Sequence, residues 1–194
     1  MTVPNILTVF RIFLTPFFVY CLFADINNAY LFALLIFIVA SITDAYDGYY
    51  ARKYDVVTES GKFLDPLADK ILASSAFISF AVLGLIELWM VGLIIFRDIF
   101  ITALRMIMKR NNRTLVTSNI AKSKTTAQLT LIIFILSFLV FNNMNGVFLS
   151  SIFDLVSNYN LVYNLTLFVS LFTIFTGYKY VKDNYDAIKE IIYQ

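Results

Sequence analysis

Apolar residues run along this chain in blocks rather than in alternation with polar ones. Six stretches are dominated by them: 6–23, 29–43, 66–86, 88–108, 125–141 and 161–181. Crossing the hydrocarbon of a bilayer takes about 20 such residues in a helix. A lipid-facing backbone must satisfy its own hydrogen bonds, which leaves the helix as the form for segments of this kind. The pattern therefore predicts an all-α integral membrane protein, a six-transmembrane-helix bundle, with residues 1–194 as one domain. The second stretch reaches spanning length only if its helix continues through Asp44 into Arg52. Pro4 and Asn5 suit the start of the first helix, and Pro66 suits the first turn of the third.

The polar residues between the blocks orient the bundle. Segment 24–28, the turn near 84–87 and segment 142–160 contain no lysine or arginine. The opposite side holds Arg52, Lys53, Lys62, Lys109, Arg110, Arg113, Lys122, Lys124, Lys179, Lys182 and Lys189. By the positive-inside rule, both termini and the loops 52–62 and 109–124 face the cytoplasm. Segment 142–160 is left open between a loop and a short interfacial helix. The first apolar stretch has no basic region before it and no small-residue cleavage site after it, so it is expected to be a membrane helix rather than a signal peptide. No internal repeat or low-complexity segment stands out.

Composition sharpens this picture. Hydrophobic residues make up 60% of the 194 and charged residues 14%, against about 25% charged in a soluble domain. That excludes a water-soluble globular protein. The net charge of +2 says little beside where the charges lie. Cys21 is the sole cysteine, so no intramolecular disulfide can form. There is no histidine, which excludes imidazole acid–base catalysis and imidazole metal ligands. Carboxylates remain as the main titratable chemistry.

They are concentrated where the second and third apolar stretches meet the cytoplasm. Asp44, Asp47, Gly48 and Ala51 recur at three- and four-residue spacing and share one helical face. Asp65 and Asp69 lie four apart at the start of the third helix. A short loop between these helices brings four carboxylates together at one membrane edge. Such a cluster repels itself unless a cation sits inside it, and oxygen-only ligands select hard ions such as Mg²⁺ or Mn²⁺. Two such ions about 4 Å apart can clamp a diphosphate. Gly48 and Ala51 leave room for a ligand or a neighbouring helix, and Arg52 offers a planar donor fork suited to phosphate. One aspartate near a helix end is ordinarily a cap; four at adjacent membrane-helix ends, with Gly and Arg interleaved, indicate function.

The spacing resembles the signature of the CDP-alcohol phosphatidyltransferase family, D-x2-D-G-x2-A-R-x8-G-x3-D-x3-D. Here it runs Asp44, Asp47, Gly48, Ala51, Arg52, Gly61, Asp65 and Asp69 without departure. The resemblance implies six membrane helices with a cytoplasmic-side active site, in agreement with the topology above. It implies that Asp44, Asp47 and Asp65 are metal ligands. Asp69 would be both a ligand to the second of two divalent cations and the general base. Gly48, Arg52 and Thr58 would contact the CDP moiety. Asn5, Thr8 and Arg11 resemble an N-terminal pattern found in one branch and would close over the nucleotide. For Asn5 and Thr8, a helix cap and a solvated turn is an equal alternative.

Three fragments are similar to the branch of the family that makes phosphatidylglycerophosphate: Pro4-Asn5 through Thr8 to Arg11, Ile95 to Asp98 followed by Thr102 to Arg105, and Ala121 to Thr125. That branch implies CDP-diacylglycerol and glycerol 3-phosphate as substrates, a multi-pass protein of a bacterial cell membrane, a homodimer, and no nucleic-acid partner. An acceptor carrying its own phosphate needs a second cationic pocket, which Arg97, Arg105, Arg113, Lys122 and Lys124 can supply. Arg97 stands near the middle of an apolar stretch, where a lone cation is costly, so it should face a polar cavity. Asp98 and Arg105, seven apart, share a helical face, and part of this charge is expected to be structural pairing. Two alternatives stay open. One is a relative that makes cardiolipin, with phosphatidylglycerol as acceptor. The other is an ion or metal transporter, against which stand the clustering of the carboxylates at one edge and the absence of an inverted repeat.

Overall fold

A computed structural model describes the backbone of residues 3–54, 59–111, 119–143, 156 and 158–192. For 3–6, 45, 47–54, 59–67, 69, 109–110, 119–122 and 190–192 the description is of the backbone alone. The described residues form seven helices and no strand: α1 Val3–Phe23, α2 Ala29–Tyr54, α3 Glu59–Val82, α4 Leu88–Arg110, α5 Asn119–Asn143, α6 Leu161–Asp183 and α7 Tyr185–Ile192. Each of the first six coincides with one apolar stretch. At 1.5 Å per residue each is about 30 Å long or more, the thickness of the hydrocarbon layer.

The helices run past the ends of their apolar stretches. As expected, α2 passes through Asp44 and Arg52 to Tyr54. The expectation that Pro66 lies in the first turn of α3 is wrong: the helix begins at Glu59, seven residues earlier. Likewise α5 begins at Asn119, six residues before its apolar run. Hydropathy marks where a helix enters hydrocarbon, whereas its backbone hydrogen bonds continue into the polar interface. An internal proline is compatible with a membrane helix when neighbours and side chains compensate, and Pro16 also stands inside α1. Of segment 142–160, positions 144–155 and 157 lie outside the described residues.

Helix α1 packs on α2 and α3, α2 on α5, α3 on α4 and α5, and both α4 and α5 on α6. Phe18, Phe37, Phe77, Phe80, Ile132, Ile135 and Leu136 form the centre of the core. The Phe18 and Phe37 rings meet at 5.7 Å between centroids, tilted by 48°, a favourable aromatic arrangement. Buried Ala33, Ala40, Ala68 and Ala76 keep the helices close. The linker after α3 ends that helix sharply. Gly84 takes φ +73°, its N–H bonds the Ala81 carbonyl at 3.0 Å, and the Leu85 N–H bonds the Phe80 carbonyl at 3.0 Å. This pair of bonds with a left-handed glycine satisfies carbonyls that the helix end would otherwise leave open.

Polarity is inverted relative to a soluble bundle. The buried face of α6 carries Thr166, Ser170, Thr173, Thr176 and Gly177, while Phe168, Leu171, Phe175 and Tyr178 are exposed. Three of the four buried hydroxyls bond within their own helix: Thr166 to the Val162 carbonyl at 2.7 Å, Ser170 to Leu167 at 2.8 Å, Thr176 to Thr173 at 2.8 Å; Thr173 Oγ1 has no partner among the described residues. Their burial therefore leaves few open polar atoms. Large exposed side chains also line α1 and α2, among them Phe13, Phe17, Phe32 and Ile42. In water such continuous apolar surface is a liability; against lipid it is not. Among the described residues, segments 123–143 and 161–183 are long and apolar enough to cross a membrane, and shorter apolar stretches lie at 7–23, 29–44 and 70–82. The protein is a helical membrane protein.

Candidate active site

The C-terminal half of α2 ends its apolar run at Ser41, Ile42 and Thr43 and then presents Asp44. From α1, Arg11 reaches this point with only 1% of its surface exposed, and its Nη1 forms an ion pair with Oδ1 of Asp44, whose side chain is 40% exposed. Thr8, one turn earlier on α1, is buried, and Thr15, one turn later, donates its hydroxyl to the Arg11 carbonyl at 3.0 Å. Placing a guanidinium in the interior is expensive unless a carboxylate meets it, and Asp44 is that carboxylate. Arg11, expected at the nucleotide, and Asp44, expected at a metal, touch each other.

A small cavity of about 20 Å³ opens beside this pair, lined by Arg11, Ser41 and Asp44 on one side and Leu72, Ala73 and Leu129 on the other. It shows α2 and α3 approaching each other at this level. Asp69 stands one turn before Ala73 on α3, and Asp65 one turn before that; Asp47 stands one turn beyond Asp44 on α2. The backbone thus carries the four aspartate positions to the same end of the bundle. The side chains of Asp47, Asp65 and Asp69, together with Asn5, Gly48 and Arg52, lie outside the described side chains, and Thr58 lies outside the described residues altogether. Within the described set no group of three metal-ligating side chains is assembled. The donor chemistry nonetheless suits a hard divalent cation, because the accessible group where the apolar run of α2 ends, Asp44, is a carboxylate and the chain has no histidine to compete.

A second polar cluster lies deeper, between α3, α4, α5 and α6. Arg97, 8% exposed, donates from Nη1 to Oδ1 of Asp98 at 3.2 Å and from Nη2 to the Thr176 hydroxyl at 3.1 Å. Buried Lys124 forms an ion pair with the same Asp98 carboxylate. Arg97 thus faces a polar interior, as its place in an apolar stretch demands. It lies along α6 where that helix has no side chain: a Cβ on Gly177 would stand 2.9 Å from Arg97 Cγ and 3.3 Å from Nε. Lys70, Asp98, Lys124 and Gln128 line a cavity of about 30 Å³ that shares Ala73 and Leu129 with the cavity at Asp44. The two polar clusters are therefore neighbours. A larger apolar groove of about 520 Å³ between α5 and α6, lined by Thr130, Phe134, Leu165 and Phe168 among others, carries no charged residue.

Of the five cations expected to form a second pocket, Arg97 and Lys124 are brought together. Arg105 is exposed and turns to α6, donating from Nε to the Tyr180 hydroxyl at 3.1 Å with its guanidinium 5.0 Å from the ring centre. The anticipated Asp98–Arg105 pairing gives way to Asp98 with Arg97 and Lys124. Seven residues of helix separate the first two by about 10 Å, and closer cations take the carboxylate. Arg113 lies outside the described residues and Lys122 outside the described side chains. Sequence reasoning missed Lys70, Gln128, Thr176 and Gly177. Gln128 was within reach of it, standing four residues after Lys124 on the same helical face.

Similarity to known proteins extends over most of the chain. Residues 1–171 match the family model of the CDP-alcohol phosphatidyltransferases. A Bacillus subtilis (strain 168) protein named CDP-diacylglycerol–glycerol-3-phosphate 3-phosphatidyltransferase is 37% identical over 199 residues, covering 96% of each chain. A protein of the same name from Rickettsia bellii is 36% identical over 180 residues, covering 92% of this chain and 93% of its own. One from Escherichia coli K12 is 40% identical over 133 residues, covering 66% and 72%.

Proposed function

The chain belongs to the CDP-alcohol phosphatidyltransferase family, and from that premise we propose that it transfers the phosphatidyl group of CDP-diacylglycerol to glycerol 3-phosphate, giving phosphatidylglycerophosphate and CMP. The observation that carries the acceptor assignment is the meeting of Arg97 and Lys124 at Asp98, in a cavity adjoining that of Asp44. A phosphorylated alcohol needs cations beside the carboxylate site, and the meeting of Arg97 and Lys124 supports this reading. The names of the relatives from Bacillus subtilis and Rickettsia bellii point to the same pair of substrates.

In this reading Asp44, Asp47, Asp65 and Asp69 hold two divalent cations, Mg²⁺ or Mn²⁺, which neutralise the diphosphate when bound. Gly48, Arg52 and Thr58 hold the CDP moiety, with Asn5, Thr8 and Arg11 at its nucleotide end. Arg11 also fixes Asp44 through their ion pair. Asp69 accepts the proton of the glycerol 3-phosphate 1-hydroxyl, whose oxygen attacks the lipid-side phosphorus as the bond to CMP breaks. Arg97 and Lys124, with Arg105, Arg113 and Lys122 towards the cytoplasm, hold the acceptor phosphate. Holding base and hydroxyl in one geometry lowers the barrier. The enzyme is a single domain of six membrane spans in a bacterial cell membrane. Both termini and the active site face the cytoplasm, and two copies form the working unit.

One assay tests the reaction. Purified protein in detergent is given CDP-diacylglycerol, Mg²⁺ and, separately, glycerol 3-phosphate, glycerol, phosphatidylglycerol, serine or inositol phosphate. Release of CMP with formation of phosphatidylglycerophosphate from glycerol 3-phosphate is expected. Cardiolipin as the main product would move the chain to another acceptor, and no CMP release with any acceptor would overturn the enzymatic reading.

The seat of Arg97 gives a further expectation. In Gly177→Ala the new methyl meets Arg97 near the root of its side chain, where little freedom remains. Overpacking of this kind costs about 1–3 kcal/mol. We expect about a tenfold rise in KM for glycerol 3-phosphate, with KM for CDP-diacylglycerol unchanged. Steady-state kinetics on both substrates checks it, and unchanged acceptor kinetics would separate Arg97 from acceptor binding.

A further inference from the structure

Gln128 occupies a position that packing alone does not explain. It lies on α5 one turn after Lys124, with 4% of its surface exposed. Its Nε2 has no hydrogen-bond partner among the described residues. Protein interiors rarely leave an amide donor in this state, because its lost hydration is then unreplaced. Gln128 lines the cavity of about 30 Å³ with Lys70, Asp98 and Lys124. That space admits one or two oxygen-sized groups and no more.

The charges around the cavity say which kind of oxygen suits it. Asp98 is already engaged by Arg97 and Lys124. Lys70 adds a further cation to the lining. The described groups therefore place three positive charges against one negative. A hydroxyl would satisfy the Gln128 donor and leave the charge excess as it is. An anionic oxygen does both. Lys70 directly follows Asp69 on α3, so the cavity adjoins the position assigned to the base.

We propose that Gln128, together with Lys70, binds a phosphate oxygen of the acceptor alcohol and so helps select glycerol 3-phosphate over alcohols without a phosphate. This rests on the transfer reaction proposed above and adds two residues to it. Gln128 is a neutral donor among cations: it contributes direction to the phosphate contact without raising the repulsion between Lys70, Lys124 and Arg97.

The test uses the full-length protein in detergent with Gln128→Leu, which removes both polar atoms at similar volume, and Gln128→Glu, which keeps the shape and places a carboxylate before the phosphate. Gln128→Leu is expected to raise KM for glycerol 3-phosphate about tenfold, with a smaller change in kcat, and to leave KM for CDP-diacylglycerol and turnover of glycerol unchanged. Gln128→Glu is expected to be worse than Gln128→Leu for glycerol 3-phosphate and equal to it for glycerol. Glycerol 3-phosphate should raise the Tm of the parent and raise that of either variant less. A purely structural Gln128 predicts instead equal losses for both acceptors and an unchanged ligand-induced rise in Tm, and that result overturns the proposal. If Gln128→Leu does not fold, the ratio of the two acceptors in Gln128→Glu decides alone. A parent that forms no phosphatidylglycerophosphate removes the reaction and this assignment together. A parent that forms it, with variants that keep its acceptor ratio, removes only the role of Gln128.

Discussion

Asp44→Ala, Asp47→Ala and Asp65→Ala are each expected to lower transfer by about a thousandfold or more, since metal-based charge stabilisation is worth several kcal/mol and each 1.36 kcal/mol is tenfold in rate. EDTA should silence the parent, and Mg²⁺ or Mn²⁺ should restore it. The structure adds a distinction within the set. Asp44 is a counter-ion of buried Arg11, so Asp44→Ala also removes a carboxylate partner from a cation in the interior. Breaking a fully buried pair costs about 3–5 kcal/mol, and the 40% exposure of the Asp44 side chain calls for a substantial discount from that figure. Asp44→Asn keeps a carbonyl oxygen for Arg11 and loses the charge needed by a cation. Both Asp44 variants should therefore lose turnover, while Asp44→Ala alone should show a lowered Tm. Asp69→Asn should retain CDP-lipid binding and lose chemistry, because an amide cannot take up the proton. Activity surviving in excess chelator, or in any of the three alanine variants, would refute the carboxylate site.

Arg97→Ala is expected to lower kcat/KM for glycerol 3-phosphate by about tenfold to a few hundredfold, the value of one or two charge-assisted hydrogen bonds in a desolvated site. KM for CDP-diacylglycerol should hardly change. Glycerol, which has no phosphate to lose, should be a poor acceptor for the parent and little worse for the variant. Arg97→Lys separates charge from geometry. A lysine keeps the cation and gives up the planar fork that spans Asp98 and Thr176, so an intermediate loss is expected. A purely structural Arg97 would instead lower Tm and impair both acceptors alike. Kinetics with both acceptors and thermal unfolding of parent and variants resolve the two.

The helices were legible in the sequence because the apolar residues come in six long blocks separated by polar segments. The passage of α2 through Asp44 to Tyr54 followed from the shortness of its apolar run. The start of α3 at Glu59 did not, because the polar turns before Pro66 look like loop when hydropathy alone is read. The aspartate positions were legible as a shared helical face, since three- and four-residue intervals fix one. The partners were not. Arg97 meets Thr176, and Arg105 meets Tyr180, across 79 and 75 residues. Nothing in local spacing foretells such meetings. Arg11 with Asp44 joins two motifs that were each visible and whose contact depends on how α1 crosses α2.

The order in which these partners are synthesised has its own consequence for how the protein enters the membrane. In the proposed six-span arrangement α4 carries Arg97, Asp98 and Arg105 within its length. A charged residue at the centre of an inserting helix costs about 2.5–3.5 kcal/mol, and each large aliphatic residue returns only about 0.3–0.6. Emerging alone, α4 is a poor substrate for insertion. The turn at Gly84 joins it to α3 through five residues, 83–87, so α3, which packs on it, is already made when α4 emerges. The groups that answer α4's charges come later still: Lys124 with α5, Thr176 and Tyr180 with α6. The pocket proposed for the acceptor is thus completed only once α6 is made, and a nascent chain that has not released α6 holds its central arginine without the hydroxyl that seats it.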